Sequence, residues 1–304
     1  MSQQATAASP TPIATSTTSP TRITEGKEVK VDVLHLDEIP GAMDKMGWKV
    51  SAKMMRRWFS NSPAYVMPEN LRSGQGVDYR TLPASQIDDQ IIKMDWVLGF
   101  PRAKQVFDKF CKEWDSQKAI ETLRDRRLRG AGWKPGATVA IGQGLMSAKE
   151  LDMSAQVNRA TFGEYSDTFD DLYGAIFKAT LKVAVVGRTR YSSQLSKDIF
   201  EIEKLGVYVR DTYDFNSDWF TDAAAGLGIW SRDRLLSKAE TAEYRANQAN
   251  APIGWMANHI KYKGFVPVKN RDFRRWQEKH GTGGDFFVFS DVKWLQPGTA
   301  YVVL

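Results

Sequence analysis

Cysteine is nearly missing from this 304-residue chain: Cys111 stands alone, so no intrachain disulfide can form and no cysteine cluster can hold zinc. Histidine is scarce as well. His35, His259 and His280 lie far apart, without metal-ligand spacing and without an H-E-x-x-H stretch. No G-x-S-x-G nucleophile elbow occurs. The longest clean apolar run is "VAVV" at 183–186, against the ~20 residues needed to cross a bilayer as a helix. The N-terminus has neither the basic start nor the apolar stretch of a secretion signal. The expectation is a protein that is cytoplasmic in the cell that makes it and reaches any other compartment by a signal-independent route.

What is present is an ordinary globular balance, 42% hydrophobic and 26% charged, enough for one large core or two modest ones. The formal net charge is +6 and the pI about 9.2. Basic residues are spread along the chain. Their one cluster, Arg124, Arg126, Arg127 and Arg129, falls in the last turns of an expected helix, where cations complement the dipole. No aromatic-interleaved basic stretch accompanies it, which argues against a nucleic-acid partner.

Residues 1–27 are Ser, Thr, Ala and Pro with almost nothing to bury, the composition of a disordered tail. The remainder, 28–304, is expected to form one α+β unit. Residues 28–180 would be its helix-rich part and 181–304 its β-rich, mostly antiparallel part. In the first part, "EVKVDVLHL" alternates like a strand, and "SAKMMRRWF" reads as a helix capped by Ser51. "IIKMDWVLGF" reads as a buried strand. A helical stripe of Val106, Phe107, Phe110, Cys111 and Trp114 makes the cysteine a core residue. "DTFDDLYGAIFKAT" has helical periodicity, with Asp167 as cap. Strands are expected in "LKVAVVG", "LGVYVRDTYDF", "LGIW", "KGFVPV", "DFFVFSDV" and "TAYVVL", interrupted by a helix with a Ser237–Glu240 capping box.

Three motifs bear on chemistry. Gly142-x-Gly144-x-x-Ser147 lacks the βαβ setting of a dinucleotide site, so no cofactor is expected and a glycine turn accounts for it. Asp214-x-Asn216-x-Asp218 begins like a calcium loop, but Trp219 stands at the glycine position and Ala225 where the bidentate Glu belongs, so no metal is expected. Asp211 and Asp214 nonetheless lie near a strand end, where an acid and a base could work. "NRDFRRWQEKHGTGGDFFVFSDV" reads as a helix capped by Asn270 and stopped by Gly281, followed by a glycine turn into a strand. His280 and Asp285 flank those glycines. The candidate catalytic residues are therefore His280, Asp285, Asp211 and Asp214. If the loop is only scaffold, Asp285→Asn should be nearly neutral for folding.

The stretches "IIKMDWVLGFPRAKQVFD", "DDLYGAIFKATLKVAVVG", "GVYVRDTYDFN", "LLSKAETAEY" and "NRDFRRWQEKHGTGGDFFVFSDV" resemble an uncharacterised proteobacterial family defined as a domain of unknown function. The resemblance covers roughly residues 85–304. The genes of that family tend to sit among type VI secretion and polymorphic-toxin loci. It implies a secreted effector of interbacterial competition, exported by the type VI apparatus, or else a non-enzymatic adaptor, chaperone or immunity-type protein. The implied partner is a protein from the same secretion or toxin–immunity system. No catalytic residues come with the resemblance.

Overall fold

Val183–Val186 and Leu205–Val209 carry no charged side chain on either face, the composition of strands covered on two sides. They form the middle of a long hairpin between β4 (Ala179–Ser192) and β5 (Lys197–Tyr213), paired from Thr180↔Arg210 to Ser192↔Lys197. The register shifts between Val186 and Gly187. A side chain on Gly187 would overlap the Glu201 carbonyl oxygen, so only glycine permits that bulge. The computed structural model describes residues 34–216 and 227–304. These residues belong to one unit, Val33–Leu304.

The described residues form an eight-stranded sheet in the order β1 (Ile87–Asp88), β8 (Phe286–Phe289), β5, β4, β2 (Ala140–Ile141). β3 (Gln156–Phe162) also pairs with β4, and β9 (Lys293–Leu295) and β10 (Tyr301–Val303) pair with β5. Residues 286–303 thus run along β5 as three short strands. β1 meets β8 in parallel, and the other pairings are antiparallel. A small second sheet joins β6 (Ile229–Trp230) to β7 (Val266–Pro267).

The α+β class and the mostly antiparallel sheet are as expected. The division into halves fits only roughly: β3 lies in the first, while α9 (Lys238–Ala249), α10 (Ile253–Lys261) and α11 (Asn270–His280) lie in the second.

The alternation of side chains gives the main sheet two different coats. Leu181, Val183, Val185, Val207, Val209, Phe286 and Val288 share a large core with residues of α1 (Ile39–Lys45), α2 (Lys49–Ser60), α5 (Pro101–Lys112) and α8 (Asp171–Ile176), among them Met43, Trp58, Phe107 and Leu172. The opposite face, with Ala184, Tyr208, Phe287 and Phe289, packs against Met67, Tyr79 and the Ala148 and Leu151 side chains of α7 (Ala148–Ser154).

Several local expectations change. Residues 91–100 are not a strand: Met94–Leu98 forms α4, its first amide bonded to Asp291 Oδ1 at 2.6 Å, with Met94 and Val97 turned inward. Ser51 lies inside α2 and does not cap it. The cap comes from another segment, because Asp171 accepts from the Val50 and Ser51 amides at 3.0 and 2.8 Å and from the Ser51 hydroxyl at 2.8 Å. α8 is capped by Asp170 instead of Asp167 and ends at Ile176, since Ala179 onward is drawn into the central hairpin. A methyl group on Gly174 of α8 would press on Ser51 Oγ at 2.6 Å, which keeps the two helices close.

From Leu34 the chain enters a short 3₁₀ turn, Leu36–Glu38, in place of a strand; residues 28–33 and the expected tail at 1–27 lie outside the described residues, as does Asp218. α6 (Gln117–Glu121) passes into a π-helical turn, Thr122–Leu128. β3, β9 and α10 had no counterpart in the sequence expectations. Cys111 sits half-buried on α5 beside the core, and burial pushes its thiol up to about 11, the state of an inert structural cysteine. The Ser237–Glu240 capping box and Gly281 at φ +66 are as read from the sequence, whereas Asn270 is the first helical residue and Lys269 the cap.

Asp171→Ala removes three acceptor contacts at the start of α2. The expected loss is about 2 kcal/mol, at the upper end for an N-cap. Asp167→Ala, which leaves the Asp170 cap of α8 in place, should cost less than about 1 kcal/mol. Urea midpoints of the two variants measure the difference, and equal midpoints would refute a cap supplied across the chain.

Candidate functional site

Polar side chains concentrate on the second sheet face, where two buried carboxylates gather donors from distant segments. The first is Asp152, near the end of α7, whose start is fixed by a Ser147–Glu150 capping box. Asp152 Oδ1 accepts from Lys182 Nζ at 2.6 Å and from the Tyr208 hydroxyl at 2.9 Å, and Oδ2 accepts from the Tyr79 hydroxyl at 3.0 Å. Lys182 and Tyr208 face each other across the β4–β5 register. Burial lowers the Lys182 pKa, and the Asp152 charge works against that shift. Burial, then the same charge, raises both tyrosines, so their hydroxyls stay protonated and donate.

Arg127, in the π-helical turn, is buried beside this group. It donates to the carbonyls of Met153 at 2.6 Å, Gln156 at 2.7 Å and Asp152 at 3.2 Å. It closes the end of α7, whose last carbonyls lack helical partners. The expectation that these arginines complement the dipole of their own helix fails for Arg127, which serves a different helix. Burial lowers its pKa, and the neighbouring Arg126 charge adds to the shift. A cleft of about 250 Å³ opens here, lined by Gly76, Val77, Tyr79, Arg126, Arg127 and Asp152 among others.

The second carboxylate is Asp285, which is fully buried. Arg274 of α11 clasps it with two bonds, 2.9 and 2.7 Å, and the Trp58 indole N–H and the Met67 amide complete its shell at 3.0 and 2.9 Å. Asp214 belongs to the same neighbourhood. Its carboxyl lies 3.8 Å from Arg72 Nε, in the short helix α3 (Glu69–Arg72). Burial raises the Asp214 pKa; the Asp285 charge adds to the rise, while Arg72 and Arg274 oppose it.

The structure therefore brings Asp214 and Asp285 into one neighbourhood, where Arg274 acts on both. It leaves His280 apart: that ring is exposed and stacks on Trp276, with centroids 4.4 Å apart. Asp211 pairs in register with Val288, on the opposite side of the strand from Arg210 and Thr212. Burial pushes its carboxyl up to about 7, against bonding from Thr212 and the Arg210 charge, and the Asp214 charge adds to the rise. Among the described residues no group of three His, Cys, Asp or Glu could hold a metal ion. Chemically, the two carboxylates are saturated with donors and hold segments in place.

The Asp152 cluster was missed because its members come from five separate segments. The one local signal was Lys182, a cation inside the apolar run "LKVAVVG".

Asp285→Asn places an amide where every neighbour is a donor. The expected cost is about 3–5 kcal/mol, the loss for breaking a buried charge pair, in contrast with the nearly neutral outcome inferred from sequence. A urea midpoint equal to that of the unmodified protein would refute the geometry.

Asp211 sets a pH dependence. Its folded pKa is raised above the unfolded value of about 3.9, so the folded state holds a proton that the unfolded chain releases. Stability should then fall as pH rises from about 4 to 7 and level off above. Asp211→Asn should match the unmodified protein near pH 4 and exceed it by about 1–2 kcal/mol at pH 8, a figure discounted for partial exposure. Parallel stability–pH curves for the two proteins would count against a perturbed Asp211.

No helix among the described residues is long and apolar enough to cross a membrane. No curated protein and no solved structure matches the chain. A family model does, over residues 34–303, which include both carboxylate clusters and all the strands described above. The chain belongs to the family of unknown function DUF6402.

Proposed function

We propose that this protein acts by holding another protein, as an adaptor, chaperone or immunity-type component of a secretion or toxin–immunity system. The observation that carries this reading is the outer face of α10. Ile253, Trp255, Met256 and Ile260 are between 62% and 81% exposed, and Ile253, Met256 and Ile260 form one stripe at i, i+3, i+7. The inner face is the polar one. Gly254 and Asn258 are buried against α9, where Asn258 donates to the Tyr244 carbonyl at 2.9 Å and accepts from Asn247 at 2.9 Å. A surface helix serving only the fold would have the opposite polarity.

The occupant that fits is a protein groove. Four side chains on nine residues fall short of the ~800 Å² per partner of a standard flat interface, so a second flat surface gains too little. A concave apolar groove that wraps the helix gains more, and Trp, Met and Ile are suited to anchor in it. Lys263 is exposed at the end of the stripe and favours a groove edged by carboxylates. Lys261 is already paired with Glu243 at 2.5 Å, which leaves less pull toward an anionic bilayer. Placement in a type VI or competition locus, and delivery as an effector, rest on the family resemblance; the α10 face favours the binding role.

Co-purification and calorimetry with the products of the genes adjacent to its own test this. One of them should bind, and Ile260→Ser and Trp255→Ala should each weaken the complex tenfold or more while shifting stability by less than about 0.5 kcal/mol. Unchanged binding by both variants would reject the α10 face. Toxicity in a sensitive host that both variants retain would favour the effector role, and variant-sensitive binding to anionic vesicles would favour a lipid target.

A further inference from the structure

The cleft beside Asp152 has a charge distribution that the fold does not require. Arg126 is exposed at its edge and has no hydrogen bond or ion pair among the described residues. Arg127, across the lining, is bonded only to carbonyl oxygens and has no carboxylate partner. The two guanidinium charges repel each other, and burial of Arg127 sharpens the repulsion. A third cation lies behind the lining residues Gly74 and Tyr79. Arg210 is nine-tenths buried, its Nε lacks a partner, and a side chain on Gly74 would overlap its guanidinium and lie 2.6 Å from the Tyr79 hydroxyl.

The opposite wall is the stretch Ser73-Gly74-Gln75-Gly76-Val77. Gly74 and Gly76 hold φ of +66 and +72, and the amides of Gly76 and Val77 have no acceptor among the described residues. Positive-φ turns with unsatisfied N–H groups are the backbone of anion-binding concavities. The two carboxylates that also line the cleft are already neutralised. Asp78 is clasped by Arg80 at 2.7 and 2.8 Å, and Asp152 by Lys182.

We propose that this cleft binds a small organic phosphate, its phosphoryl group held between the Arg126 guanidinium and the Gly76 and Val77 amides. A tetrahedral phosphoryl group offers oxygens to a guanidinium fork on one side and to backbone N–H groups on the other; a planar carboxylate serves one side at a time. The volume of about 250 Å³ leaves room for a short organic stem but not for a drug-sized ligand. Bound there, the negative charge would separate Arg126 from Arg127 and relieve their repulsion.

Titration of the full chain with glycerol 3-phosphate and with inorganic phosphate, read by calorimetry and by the Gly76 and Val77 amide resonances, tests this. Both should bind saturably and shift those two amides, glycerol 3-phosphate at least as tightly. Arg126→Ala should weaken binding tenfold or more and Arg126→Lys should restore part of it. Neither should lower the thermal midpoint without ligand, since the side chain is exposed and unpaired, and Arg126→Ala, which removes the repulsion on Arg127, should raise it slightly. The proposal is overturned by shifts that sodium chloride reproduces at equal ionic strength, by acetate binding as tightly as phosphate, or by an Arg126→Ala variant that binds as before.

Discussion

Asp285 keeps a negative charge where water does not reach, and four N–H donors from three separate segments surround it. A carboxylate in that position is tolerated only when its lone pairs are used. Trp58 of α2, Met67 of the following loop and Arg274 of α11 are therefore held in place together with the start of β8. The glycines in front of Asp285 complete the joint by backbone alone: Gly283 donates to the Asn61 carbonyl at 2.7 Å and Gly284 to that of Trp58 at 2.9 Å. A side chain at Gly283 would meet the Trp58 ring at 2.8 Å. Residues 280–285 are thus the seam between the first helices and the last strands.

Asp152 repeats the arrangement on the same face of the sheet, with Lys182, Tyr79 and Tyr208 as donors. The two carboxylates differ in what surrounds them. Asp285 is enclosed by aromatic rings, Phe215 and Phe273 stacked 3.6 Å apart among them. Asp152 borders a cleft and carries more cations nearby than it can neutralise. The same chemistry that locks one end of the sheet leaves the other able to accept charge.

How much of this was legible follows from the range of the interactions. Elements defined by their own residues were visible: the apolar strands of the β4–β5 hairpin, the α5 stripe, the Ser237–Glu240 box and the Gly281 stop. Elements defined by a partner elsewhere were not. Met94–Leu98 is helical because Asp291 caps it from almost two hundred positions away, and α2 starts where Asp171 meets it. Residues 177–180 leave a helical pattern because pairing with β5 gains more than another helical turn. Among the candidate site residues, Asp285 stands out along the chain as a loop carboxylate opposite His280, and Asp214 as a strand-end carboxylate beside Asp211. Burial and arginines bring them together, and neither is visible along the chain.

α10 shows the complementary case, in which local pattern and observed packing disagree and the disagreement is informative. Its apolar stripe would pack inward if the helix turned about its axis. That turn is blocked. Gly254 is the residue that lets α10 approach α9, because a Cβ there would overlap the Asn247 carbonyl oxygen, so a bulkier residue cannot replace it at the contact. Rotation would also carry Asn258 to the surface and leave the Tyr244 carbonyl and the Asn247 amide without their bonds, at about 1–3 kcal/mol for each group left buried and unpaired. The sequence therefore encodes a helix whose polar side holds it to the protein and whose apolar side faces outward, and the cost of that exposed surface is recovered only when something covers it.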